Sequence, residues 1–238
     1  MKWLVLLEDV KKSDFDNLSN LLRSSDEFSL IPVNSEYYLT SSHWESLTNE
    51  SDVYWEATKP LQYISAVARI QFTDFPLLKP DIICKVDEEG KLHRRVALSA
   101  TLRVDSSSFS IQLEGGQDII PKLEFESWRK LAEEDEIVEN VFRLFREFDR
   151  NWINLYKVYE IVEKNAGKKK IEQWIIKDKI RQFKHTANSQ SAIGDDARHG
   201  VDNDKHAPPK EPMSLYEADA LIMTLLQKWL QWKCEQQK

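Results

Sequence analysis

PDIICKVDEEGKLHRRVALSATLRVD, residues 80 to 105, carries the strongest local signal in the chain. Two runs rich in β-branched and apolar residues flank Glu88-Glu89-Gly90-Lys91, a cluster of turn formers. That arrangement predicts an antiparallel hairpin. Working outward, KWLVLLEDV near the N-terminus is a short apolar run and predicts a buried strand that opens the fold. FSLIPVN and EYYLTS predict two further strands around Pro32, and SFSIQLEGG alternates Phe109, Ile111 and Leu113 before stopping at Gly115-Gly116. In DFDNLSNLLRSSD, Phe15, Leu18, Leu21 and Leu22 fall at helical intervals. Residues 51 to 72 are ambiguous: Trp55, Ala66 and Val67 suit a helix, but Pro60 is expected to interrupt it. Residues 1 to 118 therefore predict an α+β domain built on an antiparallel sheet.

The period changes from Phe125 onward. EEDEIVENVFRLFREFD places Val138, Val141, Phe142, Phe145 and Phe148 on one stripe, and NWINLYKVYEIVEKNAG places Trp152, Leu155, Tyr159 and Val162 on another. Gly167 stands where a C-terminal cap belongs. KKKIEQWIIKDKIRQFKHTAN predicts one third helix with Trp174, Ile175, Ile180 and Phe183 inward. Ser214 and Glu217 form a capping box for a fourth, whose seam runs through Leu215, Ala218, Ile222, Leu225, Trp229 and Trp232. Four amphipathic helices must bury their stripes against one another, so residues 122 to 238 predict a four-helix bundle.

Bulk properties narrow the function classes. The chain has 238 residues, 41% hydrophobic and 11% aromatic, with 8 Trp and a net charge of -7. This is globular composition, and the charge argues against a protein that coats nucleic acid with its whole surface. Cys84 and Cys234 are the two cysteines, which excludes a disulfide framework or a cysteine-based zinc site. The N-terminus lacks a signal-peptide pattern, and no apolar run reaches the roughly 18 residues of a membrane helix. A cytoplasmic protein without membrane contact is expected. GxGxxG, GxxxxGK[ST], GxSxG and HExxH are all missing from the sequence, so no cofactor is expected.

The candidate chemistry lies in FKHTANSQSAIGDDARHGVDNDKHAPPKEPMSLYEA. A connection of this length (189–213) in a compact bundle is either a functional or a plain solvated loop. Arg181 and His185 share one helical face, and Arg198 and His199 follow Asp195 and Asp196. If the loop folds back, Arg181, His185, Asp196, Arg198 and His199 form a catalytic candidate: imidazole for proton transfer, guanidinium for developing phosphate charge. The alternative is that basic residues complement a helix dipole and the aspartates cap a turn. Lys168, Lys169, Lys170, Lys177 and Lys184 lead into this region and could attract an RNA backbone, or could pair with the acidic run at Glu133, Glu134, Asp135, Glu136 and Glu139. His185, Asp195, His199 and His206 could ligate zinc or manganese, but their spacing forms no metal motif, and no metal is expected. Trp3, Tyr37, Tyr38, Trp44, Tyr54 and Trp55 are core candidates or an aromatic ligand box, while His43 and His93 look like surface or packing residues.

The series HTAN, ARHG and PMSLYEA resembles a family of uncharacterised bacterial proteins over about Leu144 to Leu230; the resemblance implies no activity. A second resemblance is to HEPN-type helical domains. It implies metal-independent RNA cleavage by an Arg/His pair in toxin or phage-defence systems, although neither pair here is spaced as in that family's motif. Two functions are expected to compete. In one, the helical domain acts on RNA or another phosphate compound while the N-terminal domain senses a trigger or binds a partner. In the other, the protein is a non-catalytic scaffold whose helical domain dimerises or docks a protein partner, with the Trp-rich last helix as the contact.

Overall fold

The computed structural model describes residues 2–23, 25–72, 75–96, 125–147, 149–198 and 209–237. The strand expected at residues 108 to 116, the boundary at Gly115-Gly116, Phe148, His199 and His206 lie outside these residues. The chain forms two compact units: Met1–Ile64 with Pro76–Glu126, and Ser65–Phe75 with Ser127–Lys238. The architecture is α+β.

The first unit is built on a five-stranded antiparallel sheet. Its strands are β1 (Lys2–Leu6), β2 (Phe28–Val33), β3 (Glu36–Ser41), β4 (Ile82–Val86) and β5 (Leu92–Val96), in the order β2-β3-β1-β4-β5. β1 is central, and Trp3, Leu4, Val5 and Leu6 are all buried. Its unbroken apolar run follows from burial on both faces of the sheet. Pro32 is tolerated in β2 because that strand is an edge. The two-residue turn between β2 and β3 uses positive φ at Asn34 and Ser35, as a tight hairpin of right-handed twist requires. The β4–β5 hairpin forms as predicted. Asp87 Oδ1 accepts from the amides of Glu89 at 3.1 Å and Lys91 at 2.8 Å, and Gly90 supplies φ of 80°. One sheet face carries the buried cluster Leu4, Leu6, Tyr38 and Cys84. Register alternation puts Trp3, Lys85 and His93 on the other face, as directly opposed neighbours on β1, β4 and β5. The helix α1 (Lys12–Leu21) buries Leu18 and Leu21 as expected.

The helix α2 (Glu50–Gln71) corrects one expectation: it runs unbroken through Pro60. Proline in a helix interior costs about 3 kcal/mol. Burial outweighs it, because Val53, Ala57, Leu61, Ile64, Ala66, Val67 and Ile70 are all removed from water, and each large aliphatic contributes roughly 1.5–3 kcal/mol. Residues from Ser65 on belong to the second unit.

The second unit also contains α3 (Phe125–Glu134) from Ser127 onward, α4 (Glu136–Glu147), α5 (Trp152–Ala166), α6 (Lys168–Trp174), α7 (Lys177–Ala187), α8 (Gln190–Ile193) and α9 (Leu215–Gln236). The predicted stripes are buried: Val138, Val141, Phe142 and Phe145 on α4, and Trp152, Leu155, Tyr159 and Val162 on α5. Gly167 ends α5 with φ of 84° and ψ of 147°, a conformation that favours glycine. The capping box at α9 is present in both directions. In the α9 seam, Ala218, Ile222, Leu225 and Trp229 are buried, Trp232 is half-buried against Trp174, and Leu215 is exposed.

The single third helix is a second correction. It breaks at Ile175, which adopts an extended conformation, and α7 restarts after Ile176. The break leaves Ile176 73% exposed and Ile175 half-buried instead of inward. A further arrangement ties the end of α2 into this unit. The last carbonyls of a helix have no partner within it. The Arg69 carbonyl accepts from Arg150 and the Ile70 carbonyl from Gln227 at 3.0 Å, so side chains 81 and 157 residues away cap α2. No helix among the described residues is long and apolar enough to cross a membrane.

Candidate functional site

The site expected from sequence is centred on α7 and the chain that leaves it. Ile180, Phe183 and Ala187 fall at spacings of three and four, and all three are buried. Phe183 packs between Trp152 and Tyr156, with centroids at 6.0 and 5.8 Å, and lies 5.7 Å from Tyr159. This packing fixes the rotation of α7. Arg181 is consequently turned to solvent and pairs with Asp178 at 3.7 Å. His185 is half-buried.

Arg198 does return to the helices. Its amide donates to the Ala187 carbonyl at 3.0 Å. Its guanidinium lies 4.6 Å over the Tyr156 ring and 2.9 Å from Glu160. One turn along α5 the arrangement repeats with Lys184, which lies 5.1 Å over Tyr159 and 3.5 Å from Glu163. In each case a tyrosine carries the cation on its face, and the glutamate four residues later neutralises it. Tyr159 also donates to Glu163 at 2.7 Å; burial, then this bond, holds its hydroxyl far above the usual tyrosine range. The cations of this surface are thus matched by carboxylates of the same unit.

HTAN has a structural explanation. Thr186 Oγ1 donates to the Gln182 carbonyl at 2.8 Å and accepts from the Met213 amide at 3.0 Å. Asn188 donates to the Lys184 carbonyl at 2.7 Å, and Gln182 donates to the Glu211 carbonyl at 2.8 Å. Thr186, Asn188, Ser189 and Met213 are buried. The motif is therefore a clasp. It holds the chain where it leaves α7, through Ala187 and Arg198, and where it returns to α9, through Thr186 and Met213. Between them lie α8 and a 3-10 turn at Gly194–Asp196, with Asp195 and Asp196 exposed. Asp196 has no ion pair with Arg198 among the described residues. Arg198 is thus brought to α5, Arg181 faces solvent, and His199 lies outside the described residues. No group of three or more His, Cys, Asp or Glu among the described residues could hold a metal ion.

The basic run is only partly neutralised. Lys170 lies 5.8 Å over Trp174, and Lys179 donates to Gln182 at 3.2 Å. Lys168, Lys169 and Lys177 are exposed and make no ion pair with another described residue. The acidic run spends itself elsewhere. Asp135 binds Lys233, Glu139 binds Arg146 at 3.0 Å, and Glu133 and Glu134 face Arg129 and Lys130 within α3.

Two features on this unit were not foreseen. The chain that enters α9 runs beside α7, because Gln182 donates to the Glu211 carbonyl and Thr186 accepts from the Met213 amide; at the α9 cap the Ser214 amide and hydroxyl hold Glu217 below the usual carboxylate range. That end exposes Ile176, Leu215 and Tyr216 beside Lys177, Lys179 and Arg181. The start of α4 exposes Ile137 among Glu133, Glu134 and Glu136. Only the break at Ile175-Ile176 reveals the first patch, and no Gly or Pro announces that break in the sequence. No family model matches the chain, and neither a curated protein nor a solved structure is significantly similar to it.

Proposed function

We propose that the protein is a non-catalytic interaction protein whose helical unit docks onto a second copy of itself. One observation carries this reading: the unit exposes large apolar side chains in two places, one next to an excess of basic residues and the other next to an excess of acidic ones. One comprises Ile176 and Tyr216 with Lys177, Lys179 and Arg181; the other comprises Ile137 with Glu133, Glu134 and Glu136. An exposed aliphatic side chain has no use for a phosphate backbone but suits a protein partner. Complementary charges around it set register and speed association. The two surfaces differ, so the contact is head-to-tail and builds rings or open chains.

The clamping of Arg198 on Tyr156 and Glu160, and the burial of Thr186 and Asn188, weigh against the competing reading of an RNA-cleaving Arg/His site.

Sedimentation of purified protein over a concentration series tests the proposal. Association at low salt that weakens at high salt is expected, with Ile176→Asp and Lys177→Glu/Lys179→Glu each abolishing it. Mixing Lys177→Glu/Lys179→Glu with Glu133→Lys/Glu136→Lys should restore a mixed complex. A protein that stays monomeric throughout overturns the reading. So does RNA cleavage that is lost in His185→Ala.

A further inference from the structure

The first unit contains a cleft of about 380 Å³ against the β1–β4–β5 side of the sheet. Small-molecule sites commonly fall in the range of roughly 300–1,000 Å³. Its lining comes from five places in the chain. Trp3 is contributed by β1, Lys85 by β4, His93 by β5, and Thr48 and Glu50 by the start of α2; the β4–β5 turn adds Asp87 and Glu88. Trp3 is buried, and its indole nitrogen donates to the Leu47 carbonyl at 2.9 Å, so the ring is fixed. Lys85 Nζ stands 5.1 Å over that ring.

The wall is pre-ordered. His93 Nε2 is 2.7 Å from Asp87 Oδ2, while the other oxygen of Asp87 accepts the two turn amides. Asp87 is therefore spent on His93 and the hairpin. Lys85, Glu50 and Glu88 are different. They share the cleft with opposite signs, yet no ion pair joins any of them to one another or to another described residue. Opposite charges set around one hollow without meeting leave room for a bridging molecule with both charges.

We infer that this cleft binds a small zwitterion of the α-amino-acid class, with its carboxylate on Lys85 and its ammonium between Glu50 and Glu88. Trp3, buried beneath Lys85, fixes the floor from which Lys85 rises, and Thr48 and His93 supply hydrogen bonds at the rim. The inference concerns the first unit and is independent of the self-association of the helical unit.

The test uses the full chain and the free protein amino acids as probes, each titrated calorimetrically and followed through the tryptophan indole N–H resonances. At least one amino acid should bind and shift the Trp3 indole signal. Its matched amine and matched carboxylic acid, each lacking one charge, should bind about tenfold or more weakly, the factor that accompanies about 1.4 kcal/mol. Lys85→Met and Glu88→Gln change solvent-accessible side chains and should each weaken binding of that amino acid about tenfold or more, by the same arithmetic. Lys85→Arg should retain it. The inference is overturned if no amino acid binds, or if the amino acid binds Lys85→Met as tightly as the parent protein.

Discussion

Arg150 donates a hydrogen bond to Asp219 at 2.8 Å, and both side chains are largely withdrawn from water. The same guanidinium reaches the Arg69 carbonyl, touches the Met223 sulfur at 3.4 Å and stacks 5.5 Å from the Phe145 ring. Removing one member leaves the other charge buried. Arg150→Ala is therefore expected to destabilise the helical unit by about 3–5 kcal/mol, whereas Arg150→Met with Asp219→Leu should recover much of the loss. Urea unfolding followed by far-ultraviolet circular dichroism checks both.

The clasp predicts a local effect. Thr186→Val keeps the volume but leaves the Met213 amide without an acceptor. A cost of about 1–3 kcal/mol is expected. Hydrogen exchange should accelerate at Met213 far more than in α5.

A pH prediction follows from Asp135. Burial acts to raise its carboxyl, but the hydrogen bond from Lys233 and the amides of Val138 and Ile137 outweigh burial and hold it below the usual aspartate range. A carboxyl depressed in the folded state stabilises above its unfolded value and loses that contribution as pH falls through the folded one. Asp135→Asn should thus be less stable than the parent at neutral pH. The gap should begin to narrow near pH 4, the ordinary aspartate value, and shrink further as the pH falls. Urea midpoints measured from pH 7 to pH 3 read it directly.

Gly167 has a backbone conformation that a side chain strains, although nothing crowds the position. Gly167→Ala is expected to cost about 1–3 kcal/mol by backbone strain alone. An alanine variant as stable as the parent in thermal unfolding contradicts this.

The legible parts of the fold share a cause: their determinants are local. Asp87 to Lys91 make the hairpin turn with their own amides, and Ser214 and Glu217 cap α9 within four residues. The misread parts were settled by distant contacts. Pro60 argues locally against a helix, and only the burial of Leu61, Ile64 and Val67 overrules it. The third helix keeps its apolar period across Ile175-Ile176, so the break has no local mark.

The candidate site was harder. Threonine and asparagine in HTAN are as suitable for a clasp as for chemistry, and only the position of Met213 separates the two. Trp3, Lys85 and His93 are remote in sequence and become neighbours through strand register, which no motif reports. The sequence alone makes His93 a surface or packing residue, and the fold shows it held by Asp87.

The capping of α2 by Arg150 and Gln227 has a consequence for how this chain can be divided. The helical unit is not a contiguous piece of polypeptide, because Ser65–Phe75 belongs to it while the strands β4 and β5 intervene before Ser127. A fragment that begins at residue 122 carries Arg150 and Gln227 without the carbonyls they serve. A single cut in the chain therefore frees neither unit whole. The boundary between the units falls inside α2, between Ile64 and Ser65.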